Sequence, residues 1–214
     1  MAFDAETGGL SSLTRTARTA PLATALTEFC AVVSGRDGYL AGSGAVLRAA
    51  GSPLSVLTAT GDALSENTLI STAGDPVLDG FGLDMVRITG DILPPTPDTA
   101  LAALELRVGF LGRILDLAHA HLRDRVSFGQ KTLSHQLVKA GFADGQAAMD
   151  LYAGIARLRR EAGIKDGIAA DHAALTAATQ QAEKLMGGHG YLAGGTHAVG
   201  YISMLTHAIY GAVA

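Results

Sequence analysis

With 214 residues, 48% hydrophobic and 17% charged, the chain carries enough apolar side chain to fold around a substantial core and is too apolar to stay disordered. A net charge of −4 with Lys and Arg scattered along the sequence excludes nucleic acid as a partner, and no uninterrupted apolar run approaches the roughly 20 residues of a membrane span. Cys30 is the only cysteine, which rules out an internal disulfide, and Asp4 and Glu6 stand at the N-terminus with no apolar block behind them, so the default reading is a cytoplasmic protein without a signal peptide.

Residues 1 to about 18 are small and polar and read as a loosely ordered arm. Pro21 then suits a first helical turn, and Leu22, Leu26, Phe29 and Val33 share one face of a helix that should end near Gly35. A short helical piece is expected through Val46 to Ala50, closed by Gly51-Ser52-Pro53. From Leu54 to Ile88 the texture changes to short β-rich runs, SVLTAT, NTLIST and DMVRIT, separated by Gly-Asp, Gly-Asp-Pro and Gly-Phe-Gly turns. They are too short for a sandwich and should pack on helices or pair with another chain. Pro94, Pro95 and Pro97 mark a boundary, which divides the chain into residues 1–95, a reduced N-terminal helix with short strands, and residues 96–214.

The second part is helical to its end. Thr96 can cap, Pro97 occupies the first turn, and Leu101, Leu104, Val108, Leu111, Leu115, Ala118 and Leu122 form a stripe running down to Arg125. The next helix is expected to start near Gln130, to be weakened by Gly141 and Gly145, and to close at Gly163 behind the basic turn Arg157-Leu158-Arg159-Arg160. A third should run from about Lys165 to Met186 and a fourth from about His197 to Ala212. Connections this short imply an up-down four-helix bundle, so the fold class is mainly α, a bundle preceded by a short mixed α/β segment. No repeat of solenoid length is visible.

The functional signal lies at two corners of this bundle, in DRVSFGQKTLSHQ and in QQAEKLMGGHGYLAGG. At the first, Arg125 puts a fixed positive charge at one helix end beside the backbone N–H groups that open the next helix, a pocket suited to a pyrophosphate. Ser127 adds a hydroxyl and Phe128 an apolar wall. The histidines show no metal-binding spacing, and His119 and His121 face opposite sides of one helix, so no metal site is assigned.

Taken in order, Arg, one residue, a small hydroxyl, Phe-Gly, a helix with His-Gln, and later a helix ending in Gly-Gly-x-Gly-aromatic, the two segments resemble the acyl-CoA dehydrogenase family, over about residues 99 to 212. The resemblance implies that family's C-terminal four-helix domain and an FAD cofactor bound largely by a neighbouring subunit. It places Arg125, Ser127, Phe128 and Gln136 against that FAD, and Lys184, Gly187 and Gly188 at its diphosphate. Lys184 stands where many members carry Gln.

Two departures from the family pattern follow. Dehydrogenation needs a carboxylate to take the α-proton while flavin takes the β-hydride. Most members place that Glu after a Tyr in the last helix region, where this chain reads Ile209-Tyr210-Gly211-Ala212. Others place it at the start of the first bundle helix, which here is Thr99, leaving Asp98 and Glu105 as the nearby candidate bases. Asp98 also reads as a first-turn helix acid, and Glu105 as a solvated residue or one at the bundle interface. The stretch before the bundle is also shorter than the family's two N-terminal domains, so a complete flavin pocket is expected to need a partner.

The implied function is a short subunit of a heteromeric FAD-dependent α,β-dehydrogenase of acyl-CoA type substrates, paired with a homologous full-length subunit, with itself, or with both. The alternatives are a non-catalytic structural partner, or a non-redox enzyme on the same scaffold with His189 or Asp98 as acid or base. The Ala-rich faces at Ala147-Ala148-Met149 and Ala169-Ala170-Ala173-Ala174 permit another bundle to approach, or they line internal bundle contacts.

Overall fold

The computed structural model describes residues 10–71, 74–89, 94–192 and 194–212. Asp4 and Glu6, the acids invoked at the N-terminus, lie outside the described residues.

The organising element is α4, Pro97–Leu122, a helix whose middle is buried on every side. Thr96 caps it as expected, its hydroxyl accepting from the Thr99 N–H at 3.1 Å, with Pro97 in the first turn. The predicted stripe is buried, but so are Ala102, Ala103, Glu105, Leu106, Arg107 and Gly109 outside it. The reason is that α4 is covered from both directions. On one side lie the other bundle helices α5 (Gln136–Ala162), α6 (Ile168–Glu183) and α7 (Thr196–Thr206). On the other lie α1 (Ser12–Thr19) and α2 (Leu22–Ser34).

Helix α1 replaces part of the expected N-terminal arm. Ser11 caps it, accepting from the Thr14 N–H at 3.2 Å, and Leu13, Thr14 and Ala17 are buried against α4. The contact is possible because Gly109 has no side chain: a Cβ there would sit 2.4 Å from both Ala17 Cβ and the Thr14 carbonyl. The Thr14 hydroxyl donates to the Glu105 carbonyl at 3.0 Å, and Arg18 binds Asp116 through Nε and Nη2, each at 2.7 Å. Polar spacing hid this helix, because its burial rests on one narrow face of a short segment.

Helix α2 ends as predicted at Gly35, in the left-handed conformation with φ 72°. The expected helical piece at Val46–Ala50 is instead strand β2, Ala45–Ala49. It pairs antiparallel with β5, Leu83–Ile88, which also pairs with β4, Leu69–Ser71. Sheet pairing overrides the local helix preference, since Val46 and Leu47, on opposite faces of the strand, are both buried there. A parallel pair, β1 (Tyr39–Leu40) with β3 (Val56–Leu57), and the short helix α3 (Pro76–Asp79) complete this region.

The bundle boundaries shift in three places. Helix α5 starts at Gln136, not Gln130, because Val126–Ser127 (β6) and Gln130–Lys131 (β7) form a small hairpin. It then runs unbroken through Gly141 and Gly145, which admit Leu185 and Leu115 close to the backbone, and ends at Gly163 with φ 66°. Helix α6 begins at Ile168 and stops at Glu183, and a 3-10 stretch, Lys184–Tyr191, follows, bent at Gly187 (φ 56°, ψ −143°). A π turn, His207–Gly211, closes α7.

One hydrophobic cluster runs from Leu13 to Tyr210 through both parts of the chain. Tyr210 joins them: its ring meets Phe29 edge-on at 5.0 Å, and its hydroxyl accepts from the Leu47 N–H at 3.0 Å. Among the described residues, no helix is long and apolar enough to cross a membrane.

Candidate functional site: a cationic corner of the bundle

The two motif segments meet at the foot of α4. Arg125 is exposed and donates from Nη1 to His121 Nε2 at 3.0 Å, one helical turn earlier. The His121 ring in turn lies 4.7 Å from the ring of His189 in the Gly-Gly-His-Gly stretch. Partial burial, His189 and Arg125 together hold the His121 pKa below its usual value. An exposed guanidinium beside an imidazole whose protonation it opposes is a place where an anion would be welcome.

The hairpin supplies the other side. Phe128 is 97% exposed and sits at φ 50°, a conformation a bulky residue rarely adopts. Gly129 follows at φ 77° and lets the chain reverse. His135 fixes this turn from below: Nε2–H donates to the Ser127 carbonyl and Nδ1 accepts from Gln130, each at 3.1 Å, with the Phe128 ring edge-on at 6.4 Å. Ser127 is half-buried, and Gln136 is exposed in the first turn of α5. Gly187 and Gly188 are open, and a Cβ on either would meet nothing within 4 Å, so their backbone is accessible to a ligand. Lys184 turns back to Gln181, its Nζ donating to Oε1 at 3.1 Å, and lines a groove between α5 and α6 with Leu137 and Gly141.

The stretch carrying His189 is anchored from behind. Glu183 is 9% exposed and pairs with His197 Nδ1 at 2.8 Å, while Tyr191 stacks on the His197 ring at 3.6 Å. Burial raises the Glu183 pKa and His197 opposes the rise. Sequence reasoning missed His121, His135 and this pair. The i, i+4 spacing of His121 and Arg125 was a usable signal, whereas the others depend on tertiary contact.

The candidate bases sit elsewhere, each already engaged. Asp98 is on the surface in a 3.0 Å ion pair with Lys165. Glu105 is buried, and Arg160 donates to its Oε1 from Nε at 3.0 Å and Nη2 at 2.8 Å. It lines a cleft of about 310 Å³ with Ser11 and Arg157. Position 211 is closed: a Cβ on Gly211 would lie 2.7 Å from His207 Cδ2 and 2.8 Å from His172 Cε1.

Those histidines belong to a polar cluster inside the bundle. Arg107 is fully buried and donates to Ser203 Oγ at 3.1 Å, His172 Nδ1 at 2.8 Å, the His172 carbonyl at 3.1 Å and Thr176 Oγ1 at 2.7 Å. His172 Nε2–H donates to the Ala100 carbonyl at 3.0 Å, and His207 stacks on it at 4.8 Å. Burial, with Arg107 beside it, pushes the His172 pKa down to about 3, so this ring is neutral. Burial alone lowers that of Arg107 to about 10. The cluster ties α4, α6 and α7 together and has no opening to solvent at its centre, where Arg107, His172 and Ser203 are each 0% exposed.

No protein-family model matches the chain, and no curated protein matches it in sequence. Its likeness is to solved structures. The chain is similar to the ChsE4-ChsE5 complex from Mycobacterium tuberculosis at 17% identity, covering 80% of this chain and 62% of that one, with a TM-score of 0.49. A probable acyl-CoA dehydrogenase from Mycobacterium abscessus is similar at 13% identity, with 80% and 59% coverage and a TM-score of 0.48. Glutaryl-coenzyme A dehydrogenase in its glutaryl-CoA complex is similar at 18% identity, with 65% and 42% coverage and a TM-score of 0.46. The chain thus spans between 42% and 62% of the length of these structures.

Proposed function

We propose that the chain is a short, acyl-CoA dehydrogenase-like subunit that contacts the diphosphate of an FAD held largely by a partner chain, and that the partner supplies the catalytic base. The observation that carries this reading is the contact of His121 with both Arg125 and His189, through which the two motif segments share one exposed corner. The donor set fits a diphosphate: a guanidinium, two imidazole rings, and the open backbone of Gly187 and Gly188. Phe128 and the half-buried Ser127 would lie along the cofactor beside it, with Gln136 at the start of α5. Lys184 belongs to the same set once its side chain swings away from Gln181.

Bound flavin supplies a hydride acceptor for α,β-dehydrogenation of an acyl-CoA type substrate. This chain's residues hold and orient that group without taking the α-proton. Asp98 and Glu105 are occupied by Lys165 and Arg160, and position 211 offers neither a carboxylate nor space for one. The partner is therefore a homologous full-length subunit carrying the glutamate, and residues 1–95 act as the reduced remnant of the domains that the partner has complete.

Co-expression with such a homologue should give a yellow complex. Arg125→Ala should lower its flavin content about tenfold or more, the loss of one charge-assisted contact. Diphosphate binding should also raise the His121 pKa, readable by NMR as a shift of its ring signals. Unchanged flavin content in the Arg125→Ala complex sinks the proposal.

A further inference from the structure

A cleft of about 310 Å³ opens where α1, α4 and α5 meet, at the lower end of the volumes that hold small ligands. Its floor is the carboxylate of Glu105, a residue only 5% exposed. Arg160 reaches down to this carboxylate, yet its Nε and Nη2 both bond to Oε1, at 3.0 and 2.8 Å, instead of spreading over the two oxygens as an arginine fork does. Among the described residues Oε2 has no partner, and it is not sealed in as Thr132 Oγ1 and Gln146 Oε1 are. It therefore opens into the cleft as a free, negatively charged acceptor.

The two walls differ in what they have left to offer. On α1, the Thr14 hydroxyl donates to the Glu105 carbonyl at 3.0 Å, so the proton in the 3.0 Å contact between Ser11 Oγ and Thr14 Oγ1 comes from Ser11. Neither hydroxyl has a proton free for a ligand. On α5, Ala153, Arg157 and Arg160 follow one another at i, i+4 and i+7 along one face. Arg157 is exposed and makes no hydrogen bond or ion pair among the described residues. Two guanidiniums thus face one carboxylate, which leaves the lining with one positive charge that has no counter-ion. Leu10 and Ala153 supply its apolar part.

We infer that this cleft binds a small α-amino acid with an aliphatic side chain. The ligand's carboxylate lies on the Arg157 guanidinium, its ammonium on Glu105 Oε2, and its side chain against Leu10 and Ala153. An α-amino acid carries both charges next to one carbon, so each open group of the lining gains a charge-assisted partner at once. A simple carboxylate would leave Oε2 unpaired, and a simple amine would leave Arg157 unpaired beside a second cation. The site stands apart from the cationic corner, since Glu105 lies about 24 Å along α4 from His121 at 1.5 Å per residue. It goes beyond the flavin reading and does not depend on it.

The test is a protein-observed NMR titration of the full chain with three probes: L-leucine, 4-methylpentanoate, which lacks the ammonium, and L-leucinamide, which lacks the carboxylate. L-Leucine should saturate at millimolar concentration or below, and each analogue should bind about tenfold or more less tightly through the loss of one charge-assisted contact. Arg157→Ala should weaken L-leucine by about tenfold or more with melting retained, because Arg157 has no partner in the free chain. Glu105→Gln keeps an acceptor for Arg160 and should abolish the preference for L-leucine over 4-methylpentanoate, a change of selectivity that a merely structural role would not produce. Arg123→Ala removes an equal charge elsewhere and should leave L-leucine binding within about twofold. No saturable binding of L-leucine up to tens of millimolar, analogues that bind as tightly as L-leucine, or an Arg157→Ala chain that binds it as the wild type does overturns the inference.

Discussion

Acid should loosen this bundle earlier than its carboxylates alone would, through one buried imidazole. His172 accepts from Arg107 on one nitrogen and donates to Ala100 with the other, so its neutral tautomer is fully used and a second proton would face a buried cation. The fold holds its pKa at about 3 against an ordinary value of 6.5. The unfolded chain therefore binds a proton that the folded chain refuses. The contribution is complete above pH ~6.5 and is lost as the pH falls, at about 1.36 kcal/mol per pH unit. Between pH 7 and pH 5 the loss works out at roughly 2 kcal/mol, a large part of a typical domain's stability. His207, whose pKa is lowered by burial and then by Arg107, adds in the same direction. Urea unfolding at pH 7 and pH 5 measures the difference. His172→Asn keeps an acceptor for Arg107 and removes the titration; it should cost about 1–3 kcal/mol at pH 7, the Ala100 carbonyl losing its donor, and should flatten the pH dependence. If wild type and His172→Asn lose stability equally on going to pH 5, the imidazole is not the group responsible and the reasoning fails.

Restoring a glutamate at the family position should not restore chemistry. Gly211→Glu is expected to destabilise the chain by about 1–3 kcal/mol or more through overpacking against His172 and His207, seen as a lower urea midpoint with no gain in dehydrogenase turnover by the co-expressed complex. Phe128→Gly should instead leave the isolated chain equally stable, or steadier by up to about 1 kcal/mol, because glycine relieves the positive φ and almost no burial is lost. The same variant should reduce flavin retention in the complex, and a clear destabilisation of the isolated chain would show that the exposed ring has a packing role.

What the sequence made legible was what local periodicity and end signals encode. Thr96 with Pro97, the Leu101–Leu122 stripe, Gly35 and Gly163 each act within a few residues, and each was found where expected. The misreadings came from long-range contact. Helix α1 is stabilised by Gly109, more than ninety residues away (the Thr14 to Glu105 bond spans 91), and β2 by its pairing with β5. The start of α5 moved because the Phe128-Gly129 reversal builds a hairpin whose lock, His135, sits beyond the turn. The corner was legible as two motifs, but its connection was not, since nothing in one dimension joins His121 to His189.

The interior accounts for the closed surroundings of position 211. A bundle that kept a catalytic carboxylate near Tyr210 would need open, partly solvated space beside that residue. Here Tyr210 is buried and bonded to Leu47, and Gly211 is roofed by a stacked pair of imidazoles held by Arg107. Arg107 costs desolvation that no carboxylate offsets, and its partners Ser203, His172 and Thr176 are neutral. Such a cluster rigidifies the meeting of α4, α6 and α7 without offering a route for a substrate. The exposed polar chemistry gathers instead at the foot of α4, where His121 meets both Arg125 and His189.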